Sequence, residues 1–108
     1  MDEREFRILA DRAMDDLYRR LVTASDKHAF ETDFNAGTLA LEFDSPPAKF
    51  VVSPNSPVRQ IWVSALSRSF KLDWDAARNA FTLPSGGQTL VELLADAAGK
   101  HLGEEVSL

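Results

Sequence analysis

The chain has 108 residues and a net charge of −5, from 17 acidic and 12 basic side chains, with 44% hydrophobic residues. That makes one domain, residues 1–108, long enough to bury a core filled in part by seven Phe and two Trp. Zero cysteines exclude disulfides, thiolate metal sites, a cysteine nucleophile and Cys-ligated iron–sulfur clusters, and the acidic balance disfavours nucleic acid while suiting cations and basic protein surfaces. The first predicted element is an amphipathic helix. Phe6, Leu9, Ala10, Ala13, Leu17 and Leu21 recur at helical spacing as far as about Val22, and Asp2 stands three before Glu5 as an N-capping pair.

Period two follows. Phe30, Thr32 and Phe34 alternate with Glu31 and Asp33, and Asn35-Ala36-Gly37 has turn chemistry. Leu39, Leu41 and Phe43 mark a second strand that Ser45-Pro46-Pro47 should end. A short third strand is predicted over residues 50–53, then a rigid loop at Pro54-Asn55-Ser56-Pro57. Three more strands are predicted, over 58–65, 68–74 and 80–83, and Ser85-Gly86-Gly87 is a turn. Thr89-x-x-Glu92 is a capping box opening a last helix, in which Leu90, Leu93, Leu94, Ala97 and His101 or Leu102 keep helical spacing until Gly103.

Short connections between consecutive strands predict an antiparallel meander. The expected class is α+β: a two-layer α/β sandwich, with two terminal helices on one face of a five- or six-stranded antiparallel sheet whose other face meets solvent. No apolar run approaches the roughly 20 residues of a membrane span, so no membrane is expected as partner. The opening Met1-Asp2-Glu3-Arg4-Glu5 lacks the basic start and apolar stretch of a signal peptide, which predicts a cytoplasmic protein.

Two groups of residues could carry function. In the fourth strand Ile61 and Val63 should face the core, which turns Gln60, Trp62 and Ser64 outward. An outward Trp is a candidate binding anchor, of the kind whose truncation costs roughly 2 kcal/mol or more at an interface; the competing reading tucks Trp62 under a loop. The second group is acidic. Asp11, Asp15 and Asp16 on the first helix, with Asp26, Glu31 and Asp33 at its end and on the first strand, are oxygen ligands that hard cations such as Fe3+, Ca2+ or Mg2+ prefer. Against that stand the i,i+4 pairs Arg7–Asp11, Asp15–Arg19 and Asp16–Arg20, each adding about 0.2–0.5 kcal/mol to the helix and competing for a carboxylate. His28 and His101 lack zinc-site spacing, and no G-x-S-x-G, P-loop or G-x-G-x-x-G occurs. Trp62 with Arg59, Arg68 and Lys71 could imitate an aromatic RNA platform, but a single surface aromatic on an acidic chain makes no nucleic-acid partner the expectation.

Several segments in order resemble the bacterial form of the frataxin family: Glu5-Phe6-x-x-Leu9-Ala10-Asp11, Asn35-Ala36-Gly37-Thr38-Leu39, Pro57-x-x-Gln60-Ile61-Trp62-Val63-Ser64, Asp73-Trp74, Gly87-x-Thr89-Leu90-x-Glu92-Leu93-Leu94 and Gly103-Glu104-Glu105-Val106-Ser107. The resemblance implies a non-enzymatic protein of iron–sulfur cluster assembly that binds iron (Fe2+ or Fe3+) weakly, as donor or regulator. It implies Asp11, Asp15, Asp26, Glu31 and Asp33 as metal-binding residues, and Gln60, Trp62 and Asp16 as partner-binding residues. The implied partners are a cysteine desulfurase, at the acidic ridge, and the cluster scaffold protein, at the Trp-bearing sheet; the chain would be a monomer, with iron-dependent oligomers as its other state. The chain departs from the family in having Ser53 where many members have Asn, and Tyr18, Arg19, Arg20, Val22 and Thr23 where members crowd acids; that thinner ridge with two arginines implies weakened multi-iron loading. The alternative is an enzyme that oxidises Fe2+ on carboxylates as ferritins do, a reading that Arg19 and Arg20 oppose.

Overall fold

A computed structural model describes all residues 1–108. Helix α1 spans Glu3–Ser25, and the Asp2 side chain caps it by accepting the Glu5 N–H at 2.7 Å. Its buried stripe is Phe6, Ala10, Met14, Leu17, Leu21 and Ala24, with Leu9 and Ala13 half-buried on the flank. Burial of Ala24 carries the helix one turn beyond the expected end at Val22.

Six strands follow: β1 (Glu31–Asn35), β2 (Thr38–Asp44), β3 (Pro47–Asn55), β4 (Gln60–Ala65), β5 (Arg68–Asp75) and β6 (Ala80–Thr82). They pair in sequence order, every pair antiparallel, as a meander. Ala36 and Gly37 join β1 to β2 with φ of 52° and 82°, the two positive values that a two-residue hairpin turn needs to match strand twist. The third strand is longer than expected because neither flanking proline breaks it. Pro47 is its first residue, and by Pro54 the pairing with β2 has ended, so the strand has a partner on the β4 side alone, where proline is tolerated. A single 3-10 turn, Ser56–Val58, replaces the start expected for the fourth strand, and Arg59 leaves it in the left-handed region at φ 55°.

Helix α2 spans Leu90–Leu102. Both halves of its capping box form: Thr89 Oγ1 accepts the Glu92 N–H at 3.2 Å, and Glu92 Oε1 accepts the Thr89 N–H at 2.9 Å. Gly103 ends the helix at φ 70°, a left-handed cap that suits glycine. The helices and the inner sheet face bury one continuous core of 23 residues. Each fully buried Leu or Phe in it contributes about 1.5–3 kcal/mol. Aromatic rings lace it together, with Phe6 edge-on to Phe81 at 5.8 Å and Phe43 against Phe50 at 4.8 Å. No helix is long and apolar enough to cross a membrane.

Beyond α2 the chain turns back over the helix end. The Gly103 and Glu104 N–H groups both donate to the Gly99 carbonyl, at 2.8 and 3.1 Å, and Val106 is buried. A Cβ added at Gly99 would lie 2.9 Å from the Glu104 carbonyl oxygen. Gly99→Ala gains about 1 kcal/mol of helix propensity but forces a tightly packed segment to move, at about 1–3 kcal/mol. A lower urea midpoint is therefore expected, and a higher one would show that the segment moves aside freely.

The capping box also sets an acid dependence. The Thr89 backbone N–H, then the Thr89 hydroxyl contact and the Arg78 charge, hold the Glu92 carboxyl below the usual glutamate range. A depressed folded-state value means that the charged cap stabilises fully above the unfolded value, and that this contribution is lost as pH falls through the folded one. Glu92→Gln keeps an acceptor for the Thr89 N–H without the charge. Thermal denaturation against pH should show a flatter acid limb for it, and identical acid limbs would remove Glu92 from the account.

Candidate functional site

The alternation of β4 is regular: Ile61, Val63 and Ala65 are buried, while Trp62 and Ser64 are exposed on the other face and Gln60 is half-buried. Trp62 keeps 38% of its surface open to solvent. It stands in the middle of the uncovered sheet, paired across to Ser53 on β3 and Lys71 on β5. Around it lies a shallow hollow of about 220 Å3 whose outward side chains, Lys71 apart, are small: Ser53, Ser64 and Ser69 with Val51. The indole therefore rises above a low floor, the geometry of a side chain that a partner can enclose.

Three neighbours touch that indole or its support. Trp62 Nε1–H donates to Gln60 Oε1 at 3.0 Å, and Gln60 Nε2 donates to Asp73 Oδ1, also at 3.0 Å. Lys71 Nζ sits 4.9 Å from the ring centroid, within the range of a cation–π contact. Asp73 was not singled out from sequence, although period two in the fifth strand places Ser69, Lys71 and Asp73 on one face. What the sequence lacks is the register that sets Gln60 opposite Asp73 and Trp62 opposite Lys71. Of the basic residues in the RNA-like reading, Lys71 lies at Trp62 and the two arginines do not. Arg68 lies over Phe70 at 5.1 Å, and Arg59 bends back to donate to the carbonyls of Ser56 and Pro57.

The acidic residues divide. Asp11 and Asp15 are exposed on α1, Asp16 is half-buried there, and Asp26 is the exposed C-cap. Glu31 and Asp33 alternate with the inward Thr32 and Phe34, so they project from the open sheet face, where Glu31 pairs directly with Glu42. Two carboxylates are occupied: Asp15 by Arg19 at 3.0 Å and Asp16 by Arg20 at 2.9 Å. The expected Arg7–Asp11 pair does not form, because Arg7 turns back to Glu3 at 2.9 Å. Nowhere do three or more acidic or histidine side chains converge to hold a metal ion.

Both histidines are engaged in packing. His28 Nδ1 pairs with the Glu104 carboxylate, tying the turn after α1 to the segment after α2. His101 Nε2 donates to the Pro46 carbonyl at 2.8 Å, and its ring lies tilted against Phe43 at 4.4 Å. A groove of about 310 Å3 lies on the helix side between α1, β5–β6 and the start of α2. Leu9, Ala13, Trp74 and Phe81 form its apolar floor, with Arg12 and the already paired Asp16 among the remaining residues.

Residues 1–104 match the family model described as frataxin-like domain. The chain is 32% identical over 78 residues to the iron-sulfur cluster assembly protein CyaY of Tolumonas auensis, covering 72% of each. It is 30% identical over 95 residues to the protein of the same name from Azotobacter vinelandii, covering 86% of each. The structure of frataxin from Psychromonas ingrahamii is similar with a TM-score of 0.78 and 24% identity, over 99% of this chain and 97% of that one. Yeast frataxin gives 0.71 and 22%, over 93% and 82%. These two structural likenesses concern the fold.

The paired arginines make the acidic helix testable. Replacing Arg19 and Arg20 together by Gln removes two exposed ion pairs worth about 0.2–0.5 kcal/mol each, so the fold should survive. With Asp15 and Asp16 released, amide NMR signals around them should respond to divalent cation at lower concentration than in the parent. Equal titration curves would mean that the arginines do not compete.

Proposed function

The chain belongs to the frataxin-like domain family, and on that footing we propose that it serves iron–sulfur cluster assembly as a non-catalytic accessory protein. It binds iron weakly as cargo and modulates a cysteine desulfurase–scaffold complex. Two relatives at 30% and 32% identity that carry the name iron-sulfur cluster assembly protein support the pathway. The observation that carries the reading is Trp62, 38% exposed in the middle of a sheet face that no element of the chain covers. Gln60 and Trp62 supply the contact with the scaffold side.

Asp11, Asp15, Asp26, Glu31 and Asp33, with Asp16, supply a dispersed negative surface for the desulfurase and for iron. With its carboxylates spread over two faces and Asp15 and Asp16 held by arginines, the surface suits low-affinity attraction. The cytoplasm is the compartment that goes with this role.

Trp62→Ala tests the reading. It should weaken binding to the reconstituted desulfurase–scaffold complex by about 30-fold or more, the scale of a truncated hot spot. Its thermal midpoint should fall far less than that of Phe81→Ala, a core truncation costing about 3–5 kcal/mol. Unchanged affinity would sink the proposed role, and a core-sized loss of stability would return Trp62 to the fold.

A further inference from the structure

We infer that Asp73 is a positioning residue for Trp62, acting through Gln60, and that it decides which part of the indole a partner can meet. The functional half of this inference rests on Trp62 being the contact proposed above. The geometric half rests on the donor and acceptor chemistry of three side chains. A carboxylate only accepts hydrogen bonds, an indole N–H only donates, and a carboxamide does both at opposite ends. Gln60 stands between the other two, with Nε2 donating to Asp73 Oδ1 and Oε1 accepting from Trp62 Nε1, each at 3.0 Å.

The polarity of that chain is set at its far end. Free of Asp73, the Gln60 amide could turn over and present its NH2 to the indole N–H, donor against donor. Because the carboxylate can take only the NH2 end, the oxygen end is left for Trp62. The register supports this, since Gln60 and Asp73 are direct cross-strand partners, and so are Trp62 and Lys71. Lys71 holds a cation near the ring, 4.9 Å from its centroid.

The result is an exposed side chain with its rotation restricted before any partner arrives. Its N–H is already bonded, and a cation sits over the ring. What remains for a partner is the rest of the ring and its C–H rim. That suits an apolar side chain or the aliphatic stem of a long one, and it does not suit a hydrogen-bond acceptor aimed at Nε1. Ordering this side chain beforehand spares the complex part of the cost of immobilising it.

The test follows the Trp62 indole N–H signal of the 15N-labelled full chain by NMR, together with the affinity for the desulfurase–scaffold complex. Asp73→Ala should shift and broaden that signal, leave the other amides and the thermal midpoint near their parent values, and weaken binding about three- to tenfold. Asp73→Asn keeps an oxygen that can accept from Gln60, so it should restore both the signal and the affinity. In a Trp62→Phe background, where no N–H exists to be held, Asp73→Ala should cost nothing further. An indole signal unmoved by Asp73→Ala overturns the positioning role whatever the binding shows. Failure of Asp73→Asn to restore affinity would instead make the charge itself the contact and overturn the inference. Binding untouched by Trp62→Ala would overturn the proposed function, a result distinguishable from either of these.

Discussion

Two amphipathic helices laid on the same face of a six-stranded sheet leave the opposite face with nothing from the chain to cover it. Every later property follows from that one-sided burial. The inner face takes Leu39, Leu41, Phe43, Phe50, Val52, Ile61, Val63 and Leu72, and strict alternation sends their neighbours outward. A one-residue slip in β4 would exchange Trp62 for Ile61 and Val63, placing an indole in the core and two branched aliphatics in water. The position of Trp62 on the surface is therefore enforced by the core residues on either side of it.

Periodicity made most of this architecture legible, because helical and two-residue patterns rarely overlap in this chain. Phe6 to Leu21 and Leu90 to Ala97 read as helices, and the Thr89–Glu92 box and the Gly103 stop are visible as letters alone. Proline misled at the third strand. Local rules treat Pro47 and Pro54 as breakers, whereas their cost depends on whether a neighbouring strand needs the missing N–H, which only the assembled sheet determines. The open sheet face was half legible for a related reason. Alternation identifies Gln60 and Trp62, but the partners that orient them, Asp73 and Lys71, lie across a turn whose length sets the pairing, Leu66 and Ser67 with φ of 55° and 59°.

Charge tells a different story from shape. The acids looked like one region in sequence because the first helix and first strand are neighbours in the chain. Folding sends Asp11 and Asp15 to the helix side and Glu31 and Asp33 to the open sheet side, and the arginines of α1 take up Asp15 and Asp16. Sequence distance could not reveal this division, nor that Arg7 would choose Glu3 over Asp11. A net charge of −5 thus acts as a diffuse field around the molecule more than as a focused pocket.

The Glu31–Glu42 pairing on the open face has one more consequence. The first strand is the free border of the sheet, whereas the last is partly closed by the Thr82–Thr89 bridge and the Leu83 N–H donating to Gln88. A border strand with unpaired N–H and C=O groups invites extension by a strand from another molecule. Here an incoming copy would have to lay its own side chains beside Glu31 and Asp33, with Glu42 already adjacent and only Lys49, 3.9 Å from Glu42, to offset the crowding. The same carboxylates that spread negative charge over the surface thereby discourage runaway sheet growth, and they do so without a proline or a bulge in that strand.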